Sequence, residues 1–443
     1  MEEFPAPANV SPHHTRLADR AIDTFWAWSA DAPYPESREQ LPIIQAAHGM
    51  LSIDYEDCQQ NIGIVHERPL DVRKPQLLEL GAITSYLVGP MEDALMGLAR
   101  YHIPNVDLFA FLPDDLERYY NAPKHASTLE IVSAHTDPNY IAECVKTVVA
   151  KVTKDTEHRF RVRGFATYFP EISSLNDSVR QKAVSAVQNI IRIAGILKYK
   201  YPEHGFDTRF VEIVAGTRFS NLREQEDPNN KDKLGKKKQI VKAEVAGDNH
   251  KLCQLFKSLN DVSKTAAEND IYVSIEIEPG LLPFLSEVTY VNYFLEGLSE
   301  QTRRASGALV KQSSQLPVIE KSERIGLNVD ICHMWACKIT PTDLSREARK
   351  RITHVHIGDI GPGHLCDLVT GTVHRFEDYC QWFELLTKVA IELPRADCYP
   401  DFSCCLSVEL EACRNQVMVA AAYHRAKFLL SKFIEQRTQR LVE

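Results

Sequence analysis

At 443 residues the chain is long enough for two domains or for one enlarged domain, because eight-stranded α/β barrels use about 250 residues or more as a single unit. Hydrophobic residues make up 44% and charged residues 25%, ordinary globular values that exclude a disordered, collagenous or coiled-coil chain. Lys and Arg number 51 against 60 Asp and Glu, a formal charge of -9, so no global basic field exists to draw in a nucleic acid or an anionic membrane.

The opening residues, MEEFPAPANVSPHH, are acidic and proline-containing, without the basic and apolar regions of a secretion signal, and no later apolar run reaches about 18 residues. A soluble, cytoplasmic protein is the expectation. Its eleven cysteines are scattered and odd in number, which fits reduced thiols better than a disulfide framework. Cys332 and Cys337 flank His333, but no second CxxC-type pair completes a structural zinc site.

Residues 1–75, with many prolines and the aromatic cluster Phe25, Trp26 and Trp28, read as an N-terminal extension packed on the main body. From Leu80 a rhythm begins: LGAITSYL, a helical MEDALMGLARY, then VDLFAF. Further strands are predicted in RVRGFATYF, RFVEIVAG, IYVSIEIE, IGLNVD, ITHVHIGD and CLSVELE, which makes eight, with helical periodicity over 176–198 and 414–434. Strand and helix alternation of this kind predicts a closed (β/α)8 TIM barrel over 76–443 with long βα-loop insertions near 113–158 and 217–246. In the first of these, a strand-like TLEIVSA and a helix fall outside the eightfold count. The second, with eight Lys or Arg and four Asp or Glu over 217–242, reads as a solvated loop, with a basic substrate clamp as the sharper alternative.

Strands in such a barrel are covered outside by helices, so charged residues within them demand a reason. Alternation sends Val273, Ile275 and Ile277 outward and Ser274, Glu276 and Glu278 into the lumen. The same phase puts Ser407, Glu409 and Glu411 inside on the last strand, His354 and His356 on the seventh, and Asn328 and Asp330 on the sixth, with His333 at its exit. Glu212 also points inward from the fourth, as a substrate contact or a rim ion pair. Alone, each residue has an ordinary reading: Glu276 as a rim salt bridge, His354 as a satisfied lumen histidine. Together, on four consecutive strands, so many anions would repel one another unless a divalent cation held them. An oxygen-rich donor set with one imidazole favours Mn2+ or Mg2+, with Co2+ or Zn2+ tolerated.

At these residues the sequence resembles the xylose-isomerase-like barrel superfamily of sugar isomerases, epimerases, dehydratases and endonuclease IV-type enzymes. The resemblance covers about residues 80–434. It is carried by SIEIEPG, the DxxH of GLNVDICH, the HxH of HVHIGD, the last-strand SVELE and the segment SSLNDSVRQKAV. The pairing of EIEPG with DICH is also similar to a metabolite-traffic branch. The resemblance implies Glu276, Asp330, His356 and Glu409 as metal ligands and His333 as a substrate contact. It further implies a metal-dependent isomerase or epimerase of a sugar or related polyol or keto compound, working through an enediolate with Glu276 and Glu409 as the proton-transfer pair. Both glutamate strands read ExE, so Glu278 and Glu411 compete for the ligand places or, with Glu212 and His354, contact substrate. Pro362 and its neighbours replace the arginine that epimerases of the superfamily carry after the HxH strand, which keeps a dehydratase or lyase open. A non-catalytic metabolite-binding barrel is the reading from another class. A nuclease is disfavoured, because the first two strands offer only Asp107 and the net charge is negative; His135, His364 and Asp367 read as solvated loop residues. The expected partner is a small molecule, with no nucleic acid or membrane, and a homo-oligomer is compatible with the sequence. The stretches 226–242 and 361–373 are expected to form lids over the barrel mouth.

Overall fold

In the computed structural model, eight runs of alternating apolar and polar residues become the eight parallel strands of one closed barrel, each hydrogen-bonded to the next and the last to the first. The structure describes residues 78–84, 90–111, 113–121, 137–216, 248–277, 319–360, 373–392, 404–410 and 416–442, with isolated positions between them. The strands are β1 (Leu78–Ile83), β2 (Asn105–Leu108), β3 (Arg161–Ala166), β4 (Phe206–Val214), β5 (Tyr272–Glu276), β6 (Ile325–Asp330), β7 (Ile352–Ile357) and β8 (Cys404–Val408). The outward phase predicted for them holds: Val273, Ile275, Leu327, Val329, Val355, Ile357 and Leu406 are fully buried beneath the helices. Each such side chain contributes about 1.5–3 kcal/mol relative to exposure, which fixes the strand phase and sends the intervening polar residues into the lumen.

The helices are α1 (Met91–Arg100), α2 (Pro113–Tyr119), α3 (Pro138–Thr156), α4 (Asp177–Lys200), α5 (Asp248–Glu268), α6 (Ile331–Ala336), α7 (Arg346–Lys350), α8 (Phe376–Glu392) and α9 (Gln416–Val442). Helix α3 packs on α1 and α4, α4 on α5, and α8 on α9, which in turn covers β1. The segment TLEIVSA, expected to be strand-like, is helical at its described positions Thr128, Leu129 and Val132. Its β-branched residues favoured a strand on propensity alone, and such short apolar runs are the ones that tertiary packing decides.

The superfamily-like segment SSLNDSVRQKAV starts α4. Asn176 caps the helix by accepting from the Ser178 and Val179 amides, and Arg180, 5% exposed, donates to Ser258 Oγ on α5 at 3.1 Å. Ser258 Oγ in turn donates to the Ile172 carbonyl. The motif is therefore a lock between two outer helices and the turn after β3.

At the N-terminal floor of the barrel, Arg163 is 1% exposed and spans Asp207 at 2.7 Å and Glu79 at 3.1 Å, with Arg161 and Arg209 also on Asp207. Among the described residues no helix is long and apolar enough to cross a membrane. The N-terminal extension, the stretch 217–247, His135, Pro362, His364, Asp367, and most of 361–373 lie outside the described residues, as do Glu278 and Glu411.

Candidate metal centre

Strand register delivers the acidic and imidazole residues to the C-terminal ends of β5 to β8. Asp330 pairs with His356 across β6 and β7, and His356 with Ser407 across β7 and β8, so Glu409 follows one step above. On the other side Glu276 pairs with Asn328, two residues before Asp330. One donor atom from each of Glu276, Asp330, His356 and Glu409 then lies within 4.8 Å of every other, and all four residues are buried.

The imidazole is the hub. His356 Nδ1 stands 2.5 Å from Glu409 Oε2, 3.3 Å from Glu276 Oε1 and 3.9 Å from Asp330 Oδ2, while Nε2 is 3.0 Å from Glu212 Oε2. Asn328 Nδ2 lies 3.1 Å from Nδ1 of the ring. Asp330 has two tasks. Its Oδ1 accepts the His333 amide at 3.0 Å as the N-cap of α6, and its Oδ2 is buried with no hydrogen bond, turned toward the cluster. His333 is 3% exposed, with Nδ1 3.5 Å from Glu276 Oε1, so the histidine of DxxH reaches the same space.

Four carboxylates around one ring make an electrostatically loaded site. Among Glu276, Asp330 and Glu409, whose donor atoms lie within 4.8 Å of one another, each like-charged pair repels by about 3.5 kcal/mol for an effective dielectric of about 20. Burial, then the charges of Glu409 and Glu212, push the Glu276 carboxyl up to about 8. Burial alone would lower the His356 imidazole, but Glu212 and Glu409 outweigh it and hold the ring well above its usual value. Such a cluster accommodates positive charge, either as a proton on His356 or as a cation. The buried, unsatisfied Oδ2 of Asp330 and a donor set of three carboxylates and one nitrogen fit a divalent metal ion.

His354 goes elsewhere. It is fully buried one pleat below His356, with Nε2 2.9 Å from Asp107 Oδ2 and its ring stacked on Phe210 at 4.0 Å. Burial alone would raise the Asp107 carboxyl, yet the charge and hydrogen bond of His354 hold it below the ordinary range. Asp107, His354 and His356 also form a buried donor group of their own. Glu212, read as a substrate contact or rim ion pair, instead lies against the hidden nitrogen of His356 and is 3% exposed. Cys332 forms a further buried donor group with Asp330 and His333; Cys337, at the C-terminal end of α6, stands outside it.

Asp359, the aspartate that follows the HxH in HVHIGD, had no role assigned from the sequence. Fully buried, it accepts from the amides of Ile360 at 2.8 Å and Val373 at 2.8 Å, and lies 2.6 Å from His374 Nδ1. The His374 ring stacks on Trp335 of α6 with centroids 3.7 Å apart, tying the end of β7 to the helix that follows Asp330. The signal available was an acidic residue immediately beyond a buried strand.

No family model and no curated protein matches the chain. Solved structures similar to it include an L-ribulose 3-epimerase, at 15% identity and a TM-score of 0.49, covering 83% of this chain and 98% of that one. A D-tagatose 3-epimerase-like protein is 13% identical with a TM-score of 0.48, covering 82% and 99%. A xylose isomerase domain protein from Alicyclobacillus acidocaldarius subsp. acidocaldarius is 12% identical with a TM-score of 0.44, covering 80% and 99%. The likeness is one of barrel architecture, and the chemistry rests on the residues above.

Proposed function

We propose that the protein is a divalent-metal-dependent isomerase or epimerase of a sugar or a related polyol or keto compound. The observation that carries this reading is the convergence of Glu276, Asp330, His356 and Glu409 within 4.8 Å at the C-terminal ends of four successive strands, where barrels of this type place their chemistry. These four residues would hold the cation, Mn2+ or Mg2+ by the hardness of the donors. When bound, it supplies Lewis-acid stabilisation of the charge that builds on a substrate oxygen as a carbon-bound proton leaves.

The remaining work falls to the chain. Glu276 and Glu409 approach the central space from β5 and from just beyond β8, so one takes a proton from carbon and the other returns it to the opposite face of the enediolate. His333 lies beside Glu276 and orients or polarises a substrate oxygen. Dehydration uses the same first step and differs in protonating a leaving hydroxyl. Pro362, at the place of the epimerase arginine, favours keeping that second reading in view.

Elemental analysis of the purified protein against Asp330→Ala tests the metal: wild type should carry close to one dication per chain and the variant below a tenth of that. Turnover of ketoses, inososes and keto acids with Mn2+ in D2O tests the chemistry, since an enediolate route places solvent deuterium on the substrate carbon. Loaded metal with no turnover, together with co-purification of an unaltered small molecule, would turn the assignment to a binding barrel.

A further inference from the structure

We propose that Glu212 is the positioning residue of this centre, a reading that rests on the cation site proposed above. It holds His356 by its far nitrogen, so that Nδ1 faces Glu276, Asp330 and Glu409. The geometry is two-sided. On one side of the ring, Nδ1 has three carboxylates within 3.9 Å; on the other, Nε2 faces Glu212 Oε2 at 3.0 Å, an ion-pair contact without hydrogen-bond geometry, with Asn328 Nδ2 at 3.4 Å.

Glu212 is not a member of the four-donor group. The register explains why. It pairs with Ser274 while Val214 pairs with Glu276, so its backbone sits one pleat below the donors and its side chain reaches up under the ring. At 3% exposure its only ion pair among the described residues is with His356.

A neutral imidazole carries a single N–H. A carboxylate fixed at Nε2 selects the tautomer protonated there and leaves the Nδ1 lone pair toward the carboxylates, where a cation needs it. Without Glu212 the ring can carry its proton on Nδ1, presenting a hydrogen where a lone pair is required, and can rotate in its pocket. Partners of this kind typically change metal affinity by about 10- to 100-fold.

Titration of the metal-free full-length protein with Mn2+, followed by calorimetry, tests the assignment. Glu212→Ala should bind about 10- to 100-fold more weakly than wild type, and Glu212→Gln, whose amide oxygen still accepts from Nε2–H, should lose less. Affinities of both variants within twofold of wild type overturn the inference. Should Glu212→Ala fail to fold, the Nε2 proton of His356 in Glu212→Gln decides. A second measurement separates positioning from packing. In Zn2+-loaded protein the 15N spectrum of His356 should show a metallated Nδ1 and a protonated Nε2, and the Nε2 proton should shift or exchange faster in Glu212→Gln. An unchanged Nε2 proton overturns the inference. A wild type that binds no dication sinks the proposed function and this inference together, whereas equal binding by wild type and variants sinks this inference alone.

Discussion

Gly164 on β3 has no side chain because Phe210 occupies the space where one would stand. The two are register partners across β3 and β4, and a Cβ built on Gly164 would lie 2.2, 2.3 and 2.6 Å from three ring carbons of Phe210. Ordinary contact begins at 3.4 Å, so Gly164→Ala obliges the ring to retreat by about 1.2 Å at its nearest carbon. The ring cannot yield freely. It is 3% exposed and stacks at 4.0 Å on His354, which is held by Asp107 and meets the His356 ring edge-on at 4.9 Å. Overpacking of this kind costs about 1–3 kcal/mol, and the clamped neighbour argues for the upper half. Urea unfolding with a common m-value should report that loss for Gly164→Ala. The double variant with Phe210→Leu should be more stable than the sum of the two single losses by about 0.5–3 kcal/mol, because the shorter side chain clears the added methyl. A Gly164→Ala protein within about 0.5 kcal/mol of wild type, or strictly additive single losses, would refute the steric chain from β3 to the site.

Two further predictions concern charge. Burial alone would raise the Asp207 carboxyl, but Arg163 and Arg209 hold it below the usual carboxylate range. Its contribution is therefore present at neutral pH and lost as pH falls through the depressed value. Asp207→Asn should cost about 1 kcal/mol at pH 7, and in urea titrations the gap from wild type should close below about pH 4; a gap unchanged at pH 3 contradicts this. In the metal-free protein Glu276 keeps its proton up to about pH 8 and must lose it to serve as a ligand. Because the His356 ring, also held above its usual value, must give up a proton as well, Mn2+ affinity measured by calorimetry should rise steadily from pH 6 through about 8, with proton uptake by the buffer; a flat profile contradicts the donor set of Glu276 and His356.

All eight strands were legible in the sequence because helices cover one side of each and polar groups line the other, a constraint that leaves the same alternation in every run. The four-donor group was legible for a related reason: Glu276, Asp330, His356 and Glu409 are polar where burial would otherwise select against them. What periodicity omits is height. It places Glu212, His354 and Glu276 alike in the lumen, but closing the barrel staggers the strands, so that His354 drops to the Asp107 and Phe210 layer while Glu212 ends beneath His356. The helical state at Thr128, Leu129 and Val132 was likewise invisible, since it is settled by neighbours far away in the chain.

The carboxylate of Asp359 receives the amides of Ile360 and Val373, so the chain that departs at one of these residues comes back to the same anchor at the other. The residues flanking 361–372 are thereby stitched together through one carboxylate. Within the described part of that stretch, Thr370 is fully buried and the Gly371 amide donates to Tyr379 Oη on α8, so these two positions belong to the scaffold together with the Asp359 anchor. Chimeras that graft foreign sequence into 361–369 while keeping Thr370 and Gly371 should therefore retain the stability of the barrel, since the anchoring contacts lie outside the exchanged residues.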